Sequence, residues 1–165
     1  MNDVVQWGIT AIVGILGILA GRYWERHDRR IKKDIEVINQ INEILSSNGM
    51  IEYMRHQDFA DTFSTGVFRV MRDFISYCEK PDSYFLDRKL ESHRKDLFNK
   101  TDQFLTRLAA ESYPLPTTIE ANKIPNPVEF DKPDDYCKLD LELNNLADEM
   151  IEAHDILFKK ARSRL

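Results

Sequence analysis

The sequence predicts an all-α fold in which one long apolar helix leads into a bundle of four helices. Three observations predict it. From Val4 to Ala20 the chain reads VVQWGITAIVGILGILA, a run without a single charged residue. Beyond it, apolar residues recur at spacings of three and four over long stretches, the signature of helices with one buried face. No stretch shows the strict apolar–polar alternation of a half-buried strand.

With Gly21, Tyr23 and Trp24 the first run approaches 20 residues, the length a helix needs to cross about 30 Å of hydrocarbon. A secretion signal would open on a basic segment, whereas MNDVVQ carries Asp3 and no Lys or Arg. A buried helix of a soluble domain would interleave polar positions, and this run is apolar all round. The reading is therefore an N-terminal transmembrane helix continuing into a cytoplasmic four-helix bundle. Trp7 at one end and Tyr23 with Trp24 at the other are spaced as interfacial aromatics. Residues 22–33 carry six basic groups, Arg22, Arg26, Arg29, Arg30, Lys32 and Lys33, against Glu25 and Asp28. That collar fits an anionic lipid surface. Basic residues stay on the cytoplasmic side, so the expected placement is in the inner membrane, with the N-terminus outside and residues 22–165 in the cytoplasm.

Within the run, Ala11, Gly14, Gly17 and Gly21 fall on one side of a helix, and Gly17 with Gly21 makes a GxxxG spacing. In lipid, close approach across small residues is a main route to helix association. Residues 22–48 contain neither Gly nor Pro, so the helix is expected to run on as a stalk until SSNG at 46–49. Ile31, Ile35, Ile38, Asn42 and Leu45 keep heptad positions along it and extend the expected self-association face. The domain division is thus an anchor at 1–24, a basic collar and stalk at 25–48, and a helical domain at 49–165.

In that domain, Phe59, Phe63, Val67, Val70, Phe74 and Cys78 predict one helical region over about 50–79, with Gly66 as a weak point. KPDS at 80–83 breaks it and supplies a cap. A third helix carries Leu86, Leu90, Leu97, Phe104 and Leu108, with His93 and Thr101 on the same stripe. Five of the six prolines fall in 112–134, which reads as an extended connection. The last helix, from about Asp135, is the most regular, with Leu139, Leu143, Leu146, Met150, Ala153 and Leu157 in unbroken spacing.

Composition and motifs exclude more chemistry than they supply. The net charge is −5, and since the collar contributes +4 the rest of the chain sums to −9, which argues against a DNA-binding face. Cys78 and Cys137 lie 59 residues apart with no CxxC pair, as ordinary thiols of a reducing compartment would. No phosphate loop, nucleophile elbow, HExxH or dinucleotide fingerprint is present, and neither metal nor cofactor is expected. Glu149, Glu152, His154 and Asp155 lack the Glu-x-x-His repeat that a carboxylate metal site in a bundle requires.

An Arg-x4–6-His spacing occurs twice, as RYWERH from Arg22 to His27 and as RKLESH from Arg88 to His93. The first belongs to the lipid collar. The second resembles the motif of small helical RNA-cleaving domains of the HEPN class, in which Arg steadies the phosphate and His transfers the proton. In overall plan the chain also resembles the single-span membrane accessory and effector proteins of bacterial phage defence, including those associated with RNA-targeting CRISPR systems. That resemblance implies a membrane-anchored helical effector able to form oligomers that perturb the membrane. The expected function is accordingly a non-enzymatic, self-associating effector or scaffold with a cytoplasmic protein partner. The alternative is a membrane-tethered ribonuclease using Arg88 and His93, and RNA is a partner only in that case.

Overall fold

The computed structural model describes residues 2–46, 49–59, 61–114, 121–124 and 133–165, with side chains from Tyr23 onward except at 133 and 134. Five helices carry almost all of it: α1 (Asn2–Ile44), α2 (Met50–His56), α3 (Gly66–Cys78), α4 (Arg88–Glu111) and α5 (Pro133–Arg164). The fold is mostly helical, as the spacing of apolar residues requires.

α1 is one unbroken helix of 43 residues, about 65 Å long at 1.5 Å per residue. Its final third enters the core through Val37, Ile41 and Leu45, all at most 1% exposed. α4 and α5 form the central antiparallel pair. Their ion pairs fix the register: Asp87 meets Arg164, Lys100 meets Glu149, and Arg107 meets Glu142, so partner numbers fall as α4 advances. α3 packs against α4 and α1, and α2 lies on α5.

The core matches the apolar stripes except at Leu86, which is exposed and precedes α4, and at His93 and Leu146, which are half-buried. Leu90, Leu97, Thr101, Phe104 and Leu108 are buried along α4, and Leu139, Leu143, Met150, Ala153 and Leu157 along α5. Thr101 occupies an apolar stripe without cost because its hydroxyl donates to the Leu97 carbonyl at 2.8 Å. An aromatic cluster closes the end away from the collar. Phe59 meets Phe63 and Phe104 edge to face at centroid distances of 5.5 and 5.0 Å.

The structure departs from the sequence expectation in the region 50–79. Instead of one helix there are two, α2 and α3, with residues 57–65 between them. Asp58, Asp61, Thr62, Ser64 and Thr65 are poor helix formers whose side chains compete for backbone groups. The Asn144 carboxamide of α5 accepts from the Phe59 backbone N–H at 3.1 Å and holds the non-helical course. Phe59 and Phe63 are four apart and read as helical neighbours, but both reach the core from outside a helix.

A second departure is a small antiparallel sheet that apolar patterning did not signal. β1 (Phe63–Ser64), β2 (Tyr113–Pro114) and β3 (Ala121–Lys123) lie in the order β1-β3-β2. Asn122 stands opposite both Phe63 and Pro114. Strands of two or three residues are too short to display alternation. The rest of the Pro-rich connection, 115–120 and 125–132, lies outside the described residues.

Replacing Phe104 by Ala removes a fully buried ring packed edge to face on Phe59. The expected loss is about 3–5 kcal/mol of unfolding free energy. Urea denaturation followed by circular dichroism measures it, and a loss below about 1 kcal/mol would contradict this packing.

Candidate functional site

The place where α1 enters the helical domain concentrates the charge, the exposed aromatics and the buried polar groups. From Tyr23 to Arg30 every described side chain is exposed, with Tyr23 at 72% and Trp24 at 68%. Arg26, Arg29 and Arg30 project from this stretch, and Arg29 pairs with Glu25 one turn earlier. Lys32 is exposed too. Lys33 is not a free collar residue: its Nζ donates to the Asp82 carbonyl at 2.6 Å and lies 5.9 Å from the centre of the Tyr84 ring.

One residue later the helix is locked to the domain. Asp34 is 3% exposed, and its two carboxylate oxygens accept from the backbone N–H groups of Leu86 at 2.6 Å and Asp87 at 3.0 Å. Asp87 is in turn the N-cap of α4, accepting from the Lys89 and Leu90 N–H groups. Its other oxygen accepts from Arg164 Nε at 2.7 Å, near the end of α5. A single chain of hydrogen bonds therefore joins α1, the start of α4 and the end of α5.

Behind it lies a second buried pair. Arg94 is 7% exposed, and its guanidinium grips Glu91 through Nε and Nη2 at 2.9 and 2.7 Å while Nη1 donates to the Cys78 carbonyl at 3.3 Å. Glu91 also accepts from the Phe85 N–H at 3.0 Å. Every buried charge here has a partner, as burial of charge requires. Burial pushes the Glu91 carboxyl up, but the Arg94 contact outweighs it and holds the group below the ordinary carboxylate range. Asp87 shows the same balance, with Arg164 and the cap overcoming burial. Burial raises the neighbouring Cys78 thiol to about 11, so it is no nucleophile at neutral pH.

The far end of the docked segment is held by His154 of α5, which is 1% exposed. Its Nε2 lies 3.2 Å from the Leu45 carbonyl and its Nδ1 lies 3.2 Å from Asp155 Oδ1. Both neighbours are acceptors, so a neutral ring with one N–H satisfies only one of them. Burial nevertheless dominates and lowers the His154 pKa, with the Asp155 and Leu45 contacts opposing it. Asp155 is raised by burial but lowered further by its ion pair with Arg55 of α2.

The other residues singled out from sequence are placed as follows. Ile31 and Ile38 are half-buried, Ile35 and Asn42 are exposed, and Leu45 is fully buried in the core. The buried face of this stretch is Asp34, Val37, Ile41 and Leu45, one position away from the heptad at its start. Gly21 is exposed, and a Cβ there would meet nothing within 4 Å. The side chains of Trp7, Ala11 and Arg22, and the positions Gly14 and Gly17, lie outside the residues whose surroundings are described. Among the described residues no helix is long and apolar enough to cross a membrane, and the side chains of the run 4–20 are not among those described.

Arg88 is exposed on the first turn of α4, and His93 is half-buried. Five residues separate them, which sets them about 140° apart round the helix. No group of three His, Cys, Asp or Glu side chains suited to a metal occurs among the described residues. Cys78 and Cys137 are both free thiols.

Asp34, Arg94 and His154 were missed in the sequence, and each left a signal. Asp34 precedes Val37 by three, Arg94 stands between Leu90 and Leu97, and His154 between Met150 and Leu157. A titratable group at a core spacing needs a buried partner, and that is the mark they share.

Removing the Asp34 carboxylate strands two backbone donors. Asp34→Ala is expected to cost about 2 kcal/mol or more in urea unfolding, with Asp34→Asn costing less because one acceptor remains. A neutral Asp34→Ala would refute the capping role. The pH dependence has a defined sign. His154 binds its proton less readily in the folded chain, so stability falls as pH drops below about 6.5. Asp87, Glu91 and Asp155, held below their ordinary values, continue the loss below about pH 4, while the raised Asp140 acts weakly the other way. In pH-stepped denaturation, His154→Gln is expected to flatten the upper part of this slope and leave the lower part.

No family model matches this chain, and no curated protein or solved structure is significantly similar to it.

Proposed function

We propose that the chain is a single-pass inner-membrane protein whose helical domain works in the cytoplasm as a self-associating, non-enzymatic effector or scaffold of the phage-defence kind. The observation that supports this reading is the continuity of α1. One helix contains the uncharged run Val4–Ala20, then the exposed Tyr23, Trp24 and basic collar, then the segment buried from Asp34 to Leu45. A helix without a hinge passes a rotation or tilt at its anchored end directly to its docked end. The lock at Asp34 hands that movement on to α4 and α5, which makes the domain a fit receiver or sender of a membrane signal.

Self-association rests on the small residues Ala11, Gly14, Gly17 and Gly21. The ribonuclease alternative gains no support of its own, since Arg88 and His93 share no face of α4 and neither bonds the other among the described residues.

The test is alkaline carbonate extraction of membranes from cells expressing the full chain. Wild type is expected in the pellet and the Ile15→Arg/Leu16→Arg variant in the supernatant, each Arg at mid-membrane costing about 2.5–3.5 kcal/mol. Recovery of wild type in the supernatant would end the anchored reading. Cross-linking in detergent gives the second arm. Gly17→Ile/Gly21→Ile is expected to lose the oligomer, and a strictly monomeric wild type would remove self-association while leaving the anchor.

A further inference from the structure

Away from the α1 junction, a groove of about 460 Å³ opens between α3, the end of α4 and β3. Its polar lining is mostly made of hydrogen-bond donors. Arg69 and Arg72 stand three apart on the exposed side of α3, so their guanidinium groups border the same space. Neither forms an ion pair or a hydrogen bond among the described residues, and Asp73, which also lines the groove, bonds to neither. By contrast Arg55, Arg94, Arg107 and Arg164 each hold a carboxylate. The Arg72 guanidinium lies 5.9 Å from the centre of the Phe68 ring, a contact that orients it at the groove wall.

On the opposite wall is Asn122, the middle residue of β3, paired on both sides by the small sheet. It is 6% exposed, and its Nδ2 is buried without an acceptor among the described residues. A stranded buried donor costs about 1–3 kcal/mol and calls for an explanation. The sheet holds this one at the edge of a donor-lined groove.

We propose that this groove binds a phosphate-bearing small molecule of nucleotide size, with the phosphate between Arg69 and Arg72 and the remainder against Asn122 and Asp73. Two guanidinium groups offer more donors than a single carboxylate uses, and a phosphate has the oxygens to accept them. The volume falls within the range of about 300–1,000 Å³ typical of small-molecule sites and exceeds what a bare ion fills. Asp73 supplies an acceptor for a sugar hydroxyl or a base N–H, which an empty anion hole would not need. The inference is independent of membrane anchoring.

Isothermal titration calorimetry on the full chain in detergent micelles tests it, using ATP, AMP, inorganic phosphate and adenosine as probes. At least one nucleotide is expected to bind with a Kd of about 1 mM or tighter. Inorganic phosphate should compete and adenosine should not bind. Arg69→Ala/Arg72→Ala is expected to weaken binding about tenfold or more with an unchanged circular dichroism spectrum, because both side chains are exposed. Asn122→Ala should weaken it as well. Flat isotherms for both nucleotides, equal binding of adenosine, full binding by the double arginine variant, or binding of an RNA oligonucleotide with no response to nucleotide would each overturn the proposal.

Discussion

The carboxylate of Asp34 is the constraint on which the arrangement of this domain depends. It is a charge buried at the entry of α1, and it is tolerable only because two backbone donors from the start of α4 converge on it. Those donors belong to the turn whose next residue, Asp87, caps α4 and holds Arg164. Helix ends are where backbone groups lack partners, and here the missing partners are supplied from neighbouring helices. The relative heights of α1, α4 and α5 are thereby set by directional bonds, which apolar packing alone does not provide.

At the other end of the same segment, the Leu45 carbonyl ends α1 against His154, and Asp155 carries the contact to Arg55 on α2. Eleven residues separate Asp34 from Leu45, about 16 Å of helix. The apolar residues between them, Val37 and Ile41, provide the burial. Polar groups at the two ends provide the register. This division of labour explains why titratable groups sit on stripes that are otherwise apolar.

Much of the fold was legible in the sequence. Most of the stripe residues of α4 and α5 appear in the core, Leu86, His93 and Leu146 excepted, because a helix repeats its buried face every three or four positions whatever it packs against. The region between His56 and Gly66 was not legible. Phe59 and Phe63 have helical spacing, and only the Asn144 contact and the sheet pairing show that the backbone follows another course. For Arg88 and His93 the spacing, once it lies in a helix, sets the two side chains about 140° apart round α4.

By itself the sequence determined the helical class, the apolar composition of the first run, the basic collar that follows it and the core positions of the two longest helices, all of which are properties of nearest neighbours along one chain. Tertiary structure decided which of the stalk residues are buried, that Asp34, Arg94 and His154 tie separate helices together, and that Arg69, Arg72 and Asn122 border one groove. The reason is physical. The contacts of Asp34, Arg94 and His154 with other helices join residues from 16 positions apart, as Cys78 and Arg94, to 109 apart, as Leu45 and His154, and only the closing of the fold brings them within bonding distance.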